Sequence, residues 1–466
     1  MLRPIRSSRT SAAVSEAGPS VTRMTLEQLR TEVSGAVVTA SDPEWDDARR
    51  FHSGVGEPMA VVRASSVDDV RAAVRLARAE HQPVMVRGGG HSVWGGVPGG
   101  VTVDMSALSS ITVEGDLVHI GGGATWGAVA AELATHGLAV SSGDTSSVGV
   151  GGLTLGGGIG LMVREWGLAV DQLVGAQLVT AAGDVVEVSA TSHPDLFWAL
   201  RGGGGNFGVV TRFDFRAHPL DGVVFATLAL EGDPRPVIRV MRDVLADAPR
   251  GLTVTYADVP AMDPSAPAGA TIQAVWVGRD VDAARAALAP LIELDGVTVA
   301  ELEARDYPDI LMETPEAEPD QPMPGFVGGN TLLKELDDDA IDKLVAFREA
   351  NPASVLLLRS LGGAYGDVAQ ADTPFPARDA TWFAMAGAFD VPGMLDDAAR
   401  AAAQEAWDAI ESLGQGSYGN FSVSTDPSWV TRMYTPDTLA RLAAIKRQWD
   451  PQNIFCRTHN VVPAAA

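Results

Sequence analysis

The sequence predicts an α+β protein built from two structural units. Its 466 residues exceed what one compact core usually holds, so two domains, or one domain with a large insertion, are expected. Hydrophobic residues make up 46% of the chain, which is typical of a globular protein and excludes a disordered one. Strand and helix patterns alternate throughout. The glycine clusters of the first half thin out from about residue 221, where a separate α+β unit is predicted to begin.

Charge and cysteine content exclude several classes of partner. The formal net charge of −25 argues against binding to nucleic acid or an anionic membrane, because both require a basic surface. Cys456 is the single cysteine, so a disulfide within the chain is impossible. No continuous apolar segment resembles a signal peptide or a membrane span. We expect a cytoplasmic protein with a flexible segment at residues 1–39, and the sequence gives no indication of its oligomeric state.

The first patterned element is a helix that leads into a short strand. Ser66 is a suitable N-cap, and acidic residues follow it in the first helical turn. Pro83 ends the helical region, and residues 84–86 predict a short buried strand. This strand runs directly into the segment RGGGHS at residues 87–92.

The next elements are hairpins and helices separated by glycine-rich turns. Residues 101–103 predict a strand, and a hairpin follows that turns at residues 114–116. Residues 125–136 predict a helix that Gly137 closes as a left-handed cap. After the densest glycine stretch we expect a hairpin that turns at residues 182–184 and a short helix that begins at residue 193. A glycine-rich turn at 202–205 and an alternating strand from residue 209 follow.

The second half predicts strands alternating with helices. Residues 225–231 and 271–278 read as strands, and residues 281–294 as a helix. Residues 302–325 are rich in Pro, Glu and Asp and predict a surface excursion. Near residue 416 the chain returns through a strand, YGNF at 418–421, followed by a helix and the segment DPQNIF.

Fifty glycines require an explanation. The clusters lie between apolar strands and helices, which favours close approach of the backbone to a ligand over a flexible linker. Successive free N–H groups in such loops bind anions, phosphate above all. Two G-x-G-x-x-G matches, at 203–208 and 414–419, follow a helix and precede a strand, the reverse of the Rossmann order, so we reject both. Scattered histidines and a single cysteine predict no metal site.

His91 differs from the other seven histidines because it ends a buried strand and follows three glycines. A lone histidine is as often a structural residue as a functional one. Backbone donors beside a nucleophilic imidazole favour a redox cofactor that carries a diphosphate.

Five ordered motifs resemble those of the FAD-linked oxidases with a vanillyl-alcohol-oxidase type of FAD domain, and among them the berberine-bridge-enzyme-like group. The resemblance covers nearly the whole chain after about residue 40, and several motifs in the right order are far more specific than one glycine pattern. The motifs are RGGGHS at 87–92, SVGVGGLTLGGGIG at 147–160, WGLAVD at 166–171, LFWALRGGGGNFGVVT at 196–211, and YGNF at 418–421 with DPQNIF and an asparagine at 450–460.

The resemblance implies a two-lobed FAD-binding domain with an inserted α+β substrate domain. The FAD-binding domain would comprise residues 40–220 and a C-terminal return at 416–466, and the substrate-binding domain residues 221–415. His91 matches the histidine that bonds the flavin 8α-carbon. Many members attach the flavin a second time through a cysteine, but Thr145 stands at that position here, so a single histidyl bond is expected.

The same resemblance implies a set of flavin contacts. Asn460 could instead be an ordinary turn residue after a strand at Phe455. The expected cofactor-binding residues are Arg87, Gly88, Gly89, Gly90, His91, Ser92, Ser142, Gly143, Ser147, Val148, Gly149, Gly152, Gly157, Val210 and Asn460.

The resemblance also implies the chemistry. An oxidase would take a hydride from a small organic alcohol or amine and reduce O₂ to H₂O₂; Val148 is the residue type of the oxygen-reactive members. The alternatives are a flavin dehydrogenase with another acceptor and a flavin-loaded binding protein without turnover. Tyr418 and Asn420 are the expected catalytic residues, with Tyr418 as base if hydrogen bonds or positive charge stabilise its phenolate. Tyr365 is the next candidate for the base.

Overall fold

The computed structural model describes residues 24–52, 54–260, 269–313 and 325–465. The first unit is a four-stranded sheet of order β1-β4-β6-β5 in which β4, β6 and β5 run parallel. Helix α3 packs on it, capped by the Ser66 side chain as predicted. The elements are α1 (Leu26–Glu32), β1 (Ala36–Val38), α2 (Trp45–Ala48), β2 (Arg50–Phe51), β3 (Gly54–Val55), β4 (Ala60–Arg63), α3 (Val67–Ala79), β5 (Val84–Arg87) and β6 (Val101–Asp104).

The prediction that residues 1–39 are flexible is wrong for residues 24–39, which the structure describes. Helix α1 begins with a capping box at Thr25, and Leu29 is fully buried in the core under α3. The carboxylate of Asp69 accepts hydrogen bonds from the amides of Ser34 and Gly35, which fixes the chain before β1. Residues 1–23 lie outside the described residues.

The second sheet is antiparallel, with the order β11-β10-β12-β8-β7. Both predicted hairpins are present, and Gly137 has the positive φ of 66° that its predicted capping position requires. The elements are β7 (Ile111–Glu114), β8 (Leu117–Gly121), α4 (Trp126–Ala134), β9 (Leu138–Ala139), α5 (Val150–Leu155), α6 (Val163–Trp166), β10 (Leu173–Val179), β11 (Val185–Ser189), α7 (Pro194–Leu200), β12 (Val209–Arg216) and β13 (His218–Pro219).

The third sheet has seven antiparallel strands in the order β17-β14-β16-β15-β19-β20-β18. Alternate side chains on one face pack against four helices to form a second core, which leaves the other face turned towards the first two sheets. The elements are β14 (Val223–Leu230), α8 (Arg235–Asp247), β15 (Leu252–Val259), β16 (Gly269–Val277), α9 (Val281–Ile292), β17 (Val297–Arg305), β18 (Gly325–Leu333), α10 (Asp338–Ala350), β19 (Ser354–Ser360), α11 (Ala364–Asp367), β20 (Trp382–Asp390) and α12 (Asp397–Glu411).

The chain then returns to the first unit through α13 (Val430–Met433) and α14 (Pro436–Trp449). A fully buried ion pair between Lys446 and Asp450 anchors this return. The Lys446 ammonium also donates to the carbonyls of Asn206 and Phe455, which joins α14, the glycine turn and the final segment.

The α+β class predicted from the sequence is confirmed, whereas the domain boundaries at 40, 221 and 416 stay predictions. Two local predictions for the return are wrong. The predicted YGNF strand is a short 3₁₀ turn at Gly419–Phe421, and no strand forms at Phe455. The predicted surface excursion at 302–325 is a strand as far as Arg305, and its residues 314–324 lie outside the described residues. No helix in the described part of the chain is long and apolar enough to cross a membrane.

Candidate active site

A cavity of about 700 Å³ lies between the glycine-rich loops of the first two sheets and the open face of the seven-stranded sheet. One wall, the glycine wall, comes from residues 84–94, 143–153 and 204–210. The opposite wall, the sheet wall, comes from side chains on β15, β18, β19 and β20. The segments 418–423 and 455–459 close the space between them. A smaller hollow of about 220 Å³ over the five-stranded sheet contains none of the predicted site residues.

His91 lies on the glycine wall, directly after β5. Its Nε2 is 2.9 Å from the Ser147 hydroxyl oxygen, and its ring stacks on that of His52 with centroids 3.8 Å apart. Burial, and then the neighbouring His52, lower the pKa of His91 to about 4. The imidazole is therefore neutral at physiological pH, which is the form that can act as a nucleophile.

The loops at Gly89 and Gly149 pack backbone against backbone. A Cβ added to Gly89 would lie 2.3 Å from the amide nitrogen of Gly149, and the reverse contact is equally short. Only glycine fits at both positions, because a methyl group would force the loops apart. Among the described residues, no backbone carbonyl accepts from the amides of Gly89, Gly90 or His91. Such a row of N–H groups fits the phosphates of a dinucleotide.

The final segment supplies further polar atoms near the cavity. His459 lines it, with Nε2 3.1 Å from the Gly419 carbonyl oxygen, and burial lowers its pKa. His459 Nδ1 and Asn460 Oδ1 are buried and have no hydrogen-bond partner in the part of the chain that the structure describes. Buried polar atoms are rarely left unpaired, so these two fit a polar ligand. His459 is not among the residues that the sequence predicts to bind the cofactor.

Tyr418 is buried at the junction of the two walls, with a side chain that is 1% exposed. Its hydroxyl oxygen accepts from the amides of Gly158 and Ile159, at 3.1 and 3.4 Å, and from Asn420 Nδ2 at 2.9 Å. Burial raises the pKa of Tyr418 to about 12, although these three donors act in the opposite direction. The oxygen is thus surrounded by the groups that stabilise negative charge on it.

Asn330 on β18 explains why the YGNF segment is not a strand. Its side chain accepts from the Tyr418 amide at 2.7 Å and donates to the Tyr418 carbonyl at 3.1 Å. Both backbone groups of Tyr418 are therefore satisfied by one amide side chain, without a neighbouring strand. Asn420 then donates to the Leu153 carbonyl at 3.0 Å, which ties this turn to the glycine wall.

Most of the predicted site residues border the cavity, but five do not. Arg87 donates to the carbonyls of Ala48 and Arg50 and to Asp104, so its guanidinium braces β5. The cavity-lining ones are Gly88, Gly89, Gly90, His91, Ser92, Gly143, Val148, Gly149, Gly152, Val210, Tyr418 and Asn420, while Asn460 directly follows the lining His459.

The other three residues face different neighbours. The Ser142 hydroxyl lies 2.8 Å from that of Tyr307, and the Ser147 hydroxyl lies 2.9 Å from His91 Nε2. A Cβ on Gly157 would lie 2.4 Å from the Phe375 ring. Tyr365 lies on α11 and donates to the Ala377 carbonyl in the core, so it cannot replace Tyr418 as the base.

A buried ion pair that sequence reasoning missed joins the two walls. Arg359 on β19 donates to Asp144 at 2.6 Å and to the Thr255 hydroxyl at 3.0 Å. Burial acts to raise the pKa of Asp144, but the Arg359 guanidinium and hydrogen bonds outweigh it and hold that pKa below its ordinary value. The partners are 215 positions apart, so no local pattern could have paired them.

Comparisons with known proteins agree with this architecture. A family model described as "FAD binding domain" matches residues 58–189, and one described as "Berberine and berberine like" matches residues 417–462. The "Uncharacterized FAD-linked oxidoreductase YgaK" of Bacillus subtilis is 30% identical, over 93% of this chain and 98% of its own. The "(R)-6-hydroxynicotine oxidase" of Paenarthrobacter nicotinovorans is 29% identical, over 92% and 97%.

Solved structures share the fold. 6-hydroxy-D-nicotine oxidase from Arthrobacter nicotinovorans superposes with a TM-score of 0.77 at 26% identity, covering 93% of this chain and 98% of that one. A chitooligosaccharide oxidase superposes with a TM-score of 0.81 at 22% identity, covering 92% and 98%. These neighbours confirm the predicted fold, a vanillyl-alcohol-oxidase type of FAD domain with an inserted α+β unit.

Proposed function

The chain belongs to the FAD-linked oxidoreductases of the berberine-bridge-like type, and from that premise we propose that it is an oxidase of a small organic alcohol or amine. O₂ is the proposed electron acceptor, and H₂O₂ the product. The single observation that carries this proposal is the Tyr418 hydroxyl, held by three N–H donors in the cavity that His91 also lines.

The residues of the glycine wall fit FAD. The free amides at Gly89 to His91 suit the diphosphate, and the unpaired Asn460 oxygen suits a polar edge of the cofactor. We assign His91 as the covalent attachment residue because it presents a neutral imidazole in the cavity. Bound FAD would supply the hydride acceptor and the centre that reacts with O₂.

A single covalent bond follows from the residues near His91. Thr145, which lines the cavity, has no sulfur, and its hydroxyl donates to Asp144 at 3.0 Å. Cys456 is half-buried and is not among the cavity-lining residues. The 6-S-cysteinyl, 8α-N1-histidyl FAD of the glucooligosaccharide oxidase from Acremonium strictum therefore has only its histidyl counterpart here.

Tyr418 is the proposed base. Oxidising an alcohol or an amine releases a proton as the hydride departs, and a group at the reacting atom must receive it. The amides of Gly158 and Ile159 and the Asn420 side chain point three N–H donors at the Tyr418 oxygen, and these donors stabilise the phenolate that must be present before it can accept the proton. The likeness to 6-hydroxynicotine oxidase, found both by sequence and by structure, supports a small organic substrate.

The test is a peroxide assay on the purified yellow protein against a panel of alcohols, amines and sugars. We expect peroxide release with at least one alcohol or amine. Flavin that is reduced by such a compound yet releases no peroxide in air, while passing electrons rapidly to a dye, would establish a dehydrogenase instead. Flavin that no compound reduces, although dithionite does, would establish a binding protein.

A further inference from the structure

We propose that the substrate is an extended apolar molecule with an aromatic body, not a saccharide. This inference rests on the proposed function and concerns the sheet wall of the same cavity. Four lining side chains of that wall lie on β18, β19 and β20, and none carries a hydrogen-bonding group: Phe326, Val355, Met385 and Phe389.

The strand register puts these four side chains on one face. Phe326 is paired with Phe389, and Val355 with Gly387, two residues from both Met385 and Phe389. Paired residues, and residues two apart on a strand, point to the same side of a sheet. The intervening alanines of β20 point to the opposite side and pack against the helices of the second core.

The wall forms a track that leads away from Tyr418. The ring of Phe383 lies 6.0 Å from that of Tyr418, and Phe389 follows six residues later on the same strand. At about 3.4 Å per residue, the strand runs about 20 Å from the Tyr418 end to Phe389. A track of this length suits an elongated body whose reacting end lies at Tyr418.

A glycine in the middle of the track makes room for an aromatic ring. A Cβ on Gly387 would lie 1.9 Å from the Phe326 ring, so that ring lies directly over the glycine. Phe326 in turn contacts Phe389 edge to face, with centroids 6.1 Å apart. Side chains held in this way offer ring faces and edges to a flat apolar ligand.

A saccharide would leave its hydroxyl groups unpaired along this wall. A buried hydroxyl without a partner weakens binding by about tenfold or more, and a disaccharide carries several. The Asp144 carboxylate, which could accept from such hydroxyls, is already paired with Arg359. The polar side chains Tyr418 and Asn420 lie at one end of the track, which suits a molecule with a single polar reacting end.

The saccharide oxidases among the structural neighbours do not imply that this chain also acts on a saccharide. A xylooligosaccharide oxidase, solved with xylobiose, shares a TM-score of 0.82 with this chain at 23% identity. Likeness at that level reflects the common fold, whereas the substrate class depends on the side chains along the cavity wall.

The experiment titrates the holoprotein with three probes and records the flavin absorption spectrum. The probes are biphenylmethanol, its methyl ether, which reports binding without a free hydroxyl, and cellobiose. We expect the ether to perturb the spectrum saturably and cellobiose to leave it unchanged. A saturable response to cellobiose, or none to the ether, would overturn the proposed substrate class.

Reduction of the flavin by biphenylmethanol is a separate readout. If the ether binds but no alcohol or amine in the panel reduces the flavin, the oxidase proposal fails while the substrate class stands. If cellobiose reduces the flavin and the ether does not bind, the substrate class fails while the oxidase proposal stands.

Two variants test the track directly. Phe389→Asn and Met385→Asn replace apolar side chains of the wall, and we expect each to weaken binding of the ether by about tenfold or more. Val391→Asn is the matched control, because Val391 follows the same strand, is 37% exposed and is not among the cavity-lining residues. Flavin content and thermal melting verify folding. Unchanged affinity in both wall variants would refute the proposal.

Discussion

The two walls of the cavity differ in that one is built mainly from backbone and the other from side chains. The glycine wall offers backbone amides and two loops so close that only glycine fits between them. The sheet wall offers side chains on alternate positions of four strands. A wall made of backbone recognises the same ligand in any relative that keeps the glycines. A wall made of side chains changes with each substitution, so we expect the glycine wall to bind the cofactor and the sheet wall to select the substrate.

The largest expected effect concerns His91, the proposed attachment residue on the glycine wall. His91→Ala removes the nucleophilic imidazole, so we expect no covalent flavin at all. Flavin fluorescence should remain on the denatured wild-type protein and pass entirely to the supernatant for the variant. Ser147→Ala, which removes only the hydroxyl beside His91, should keep covalent flavin.

Fluorescence that persisted on denatured His91→Ala protein would break the assignment of the glycine wall. A digest of the native protein should give one flavin-linked peptide, which contains His91. A second one containing Thr145 or Cys456 would show that a further attachment exists.

The next effect lies at the junction of the walls. Tyr418→Phe keeps the ring but removes the hydroxyl, and we expect flavin reduction by substrate to slow by about 10²–10⁴-fold, as is typical on loss of a general base. Covalent flavin should remain. Tyr365→Phe is the matched control, since its hydroxyl contacts only core carbonyls, and its reduction rate should equal that of the wild type. Rapid-mixing rates within a few-fold of wild type for Tyr418→Phe would eliminate this base.

A smaller effect is expected when one hydrogen bond to Tyr418 is removed while its hydroxyl is kept. Asn420→Leu removes one of the three donors, and because that donor lowers the pKa of Tyr418, its loss should raise that pKa further. The rising limb of the reduction rate against pH should therefore move to higher pH. Each unit of displacement lowers the rate at neutral pH by about tenfold. A slower variant whose limb stays in place would indicate that Asn420 only positions the turn.

The smallest effect concerns O₂ at the glycine wall. Val148 is half-buried and lines the cavity, and a larger side chain there should hinder access of O₂. Val148→Leu should slow reoxidation of reduced flavin several-fold while leaving reduction by substrate unchanged. Mixing anaerobically reduced protein with aerated buffer measures this rate. Equal reoxidation rates would remove Val148 from the path of O₂.

Sequence reasoning located the glycine wall well and the sheet wall poorly, for a physical reason. Gly89, Gly149 and His91 stand out in the sequence because the close backbone approach requires glycine, and the required glycines form dense clusters along the chain. Met385 and Phe389 do not, since an apolar residue at alternate positions reads alike whether it faces a core or a cavity.

Long-range side-chain contacts account for the remaining misses. The YGNF turn depends on Asn330, 88 positions away, and the stacking of His52 on His91 depends on how β2 folds back. Neither contact can be predicted from the neighbouring residues in the sequence. The predicted strand at 418–421 is therefore wrong.

The buried contacts of Lys446 with Asn206, Asp450 and Phe455 can form only late in the synthesis of the chain. The ribosome makes the glycine wall first, then the whole seven-stranded unit, and only then Tyr418 and the segment that Lys446 ties to Asn206. Before residue 418 has emerged, the cavity lacks Tyr418, and until about residue 460 has emerged, it lacks the side at His459 and Asn460. Completion of the cavity is thus a late step of biogenesis, and a nascent chain halted before residue 418 would lack both segments that close the space between the two walls.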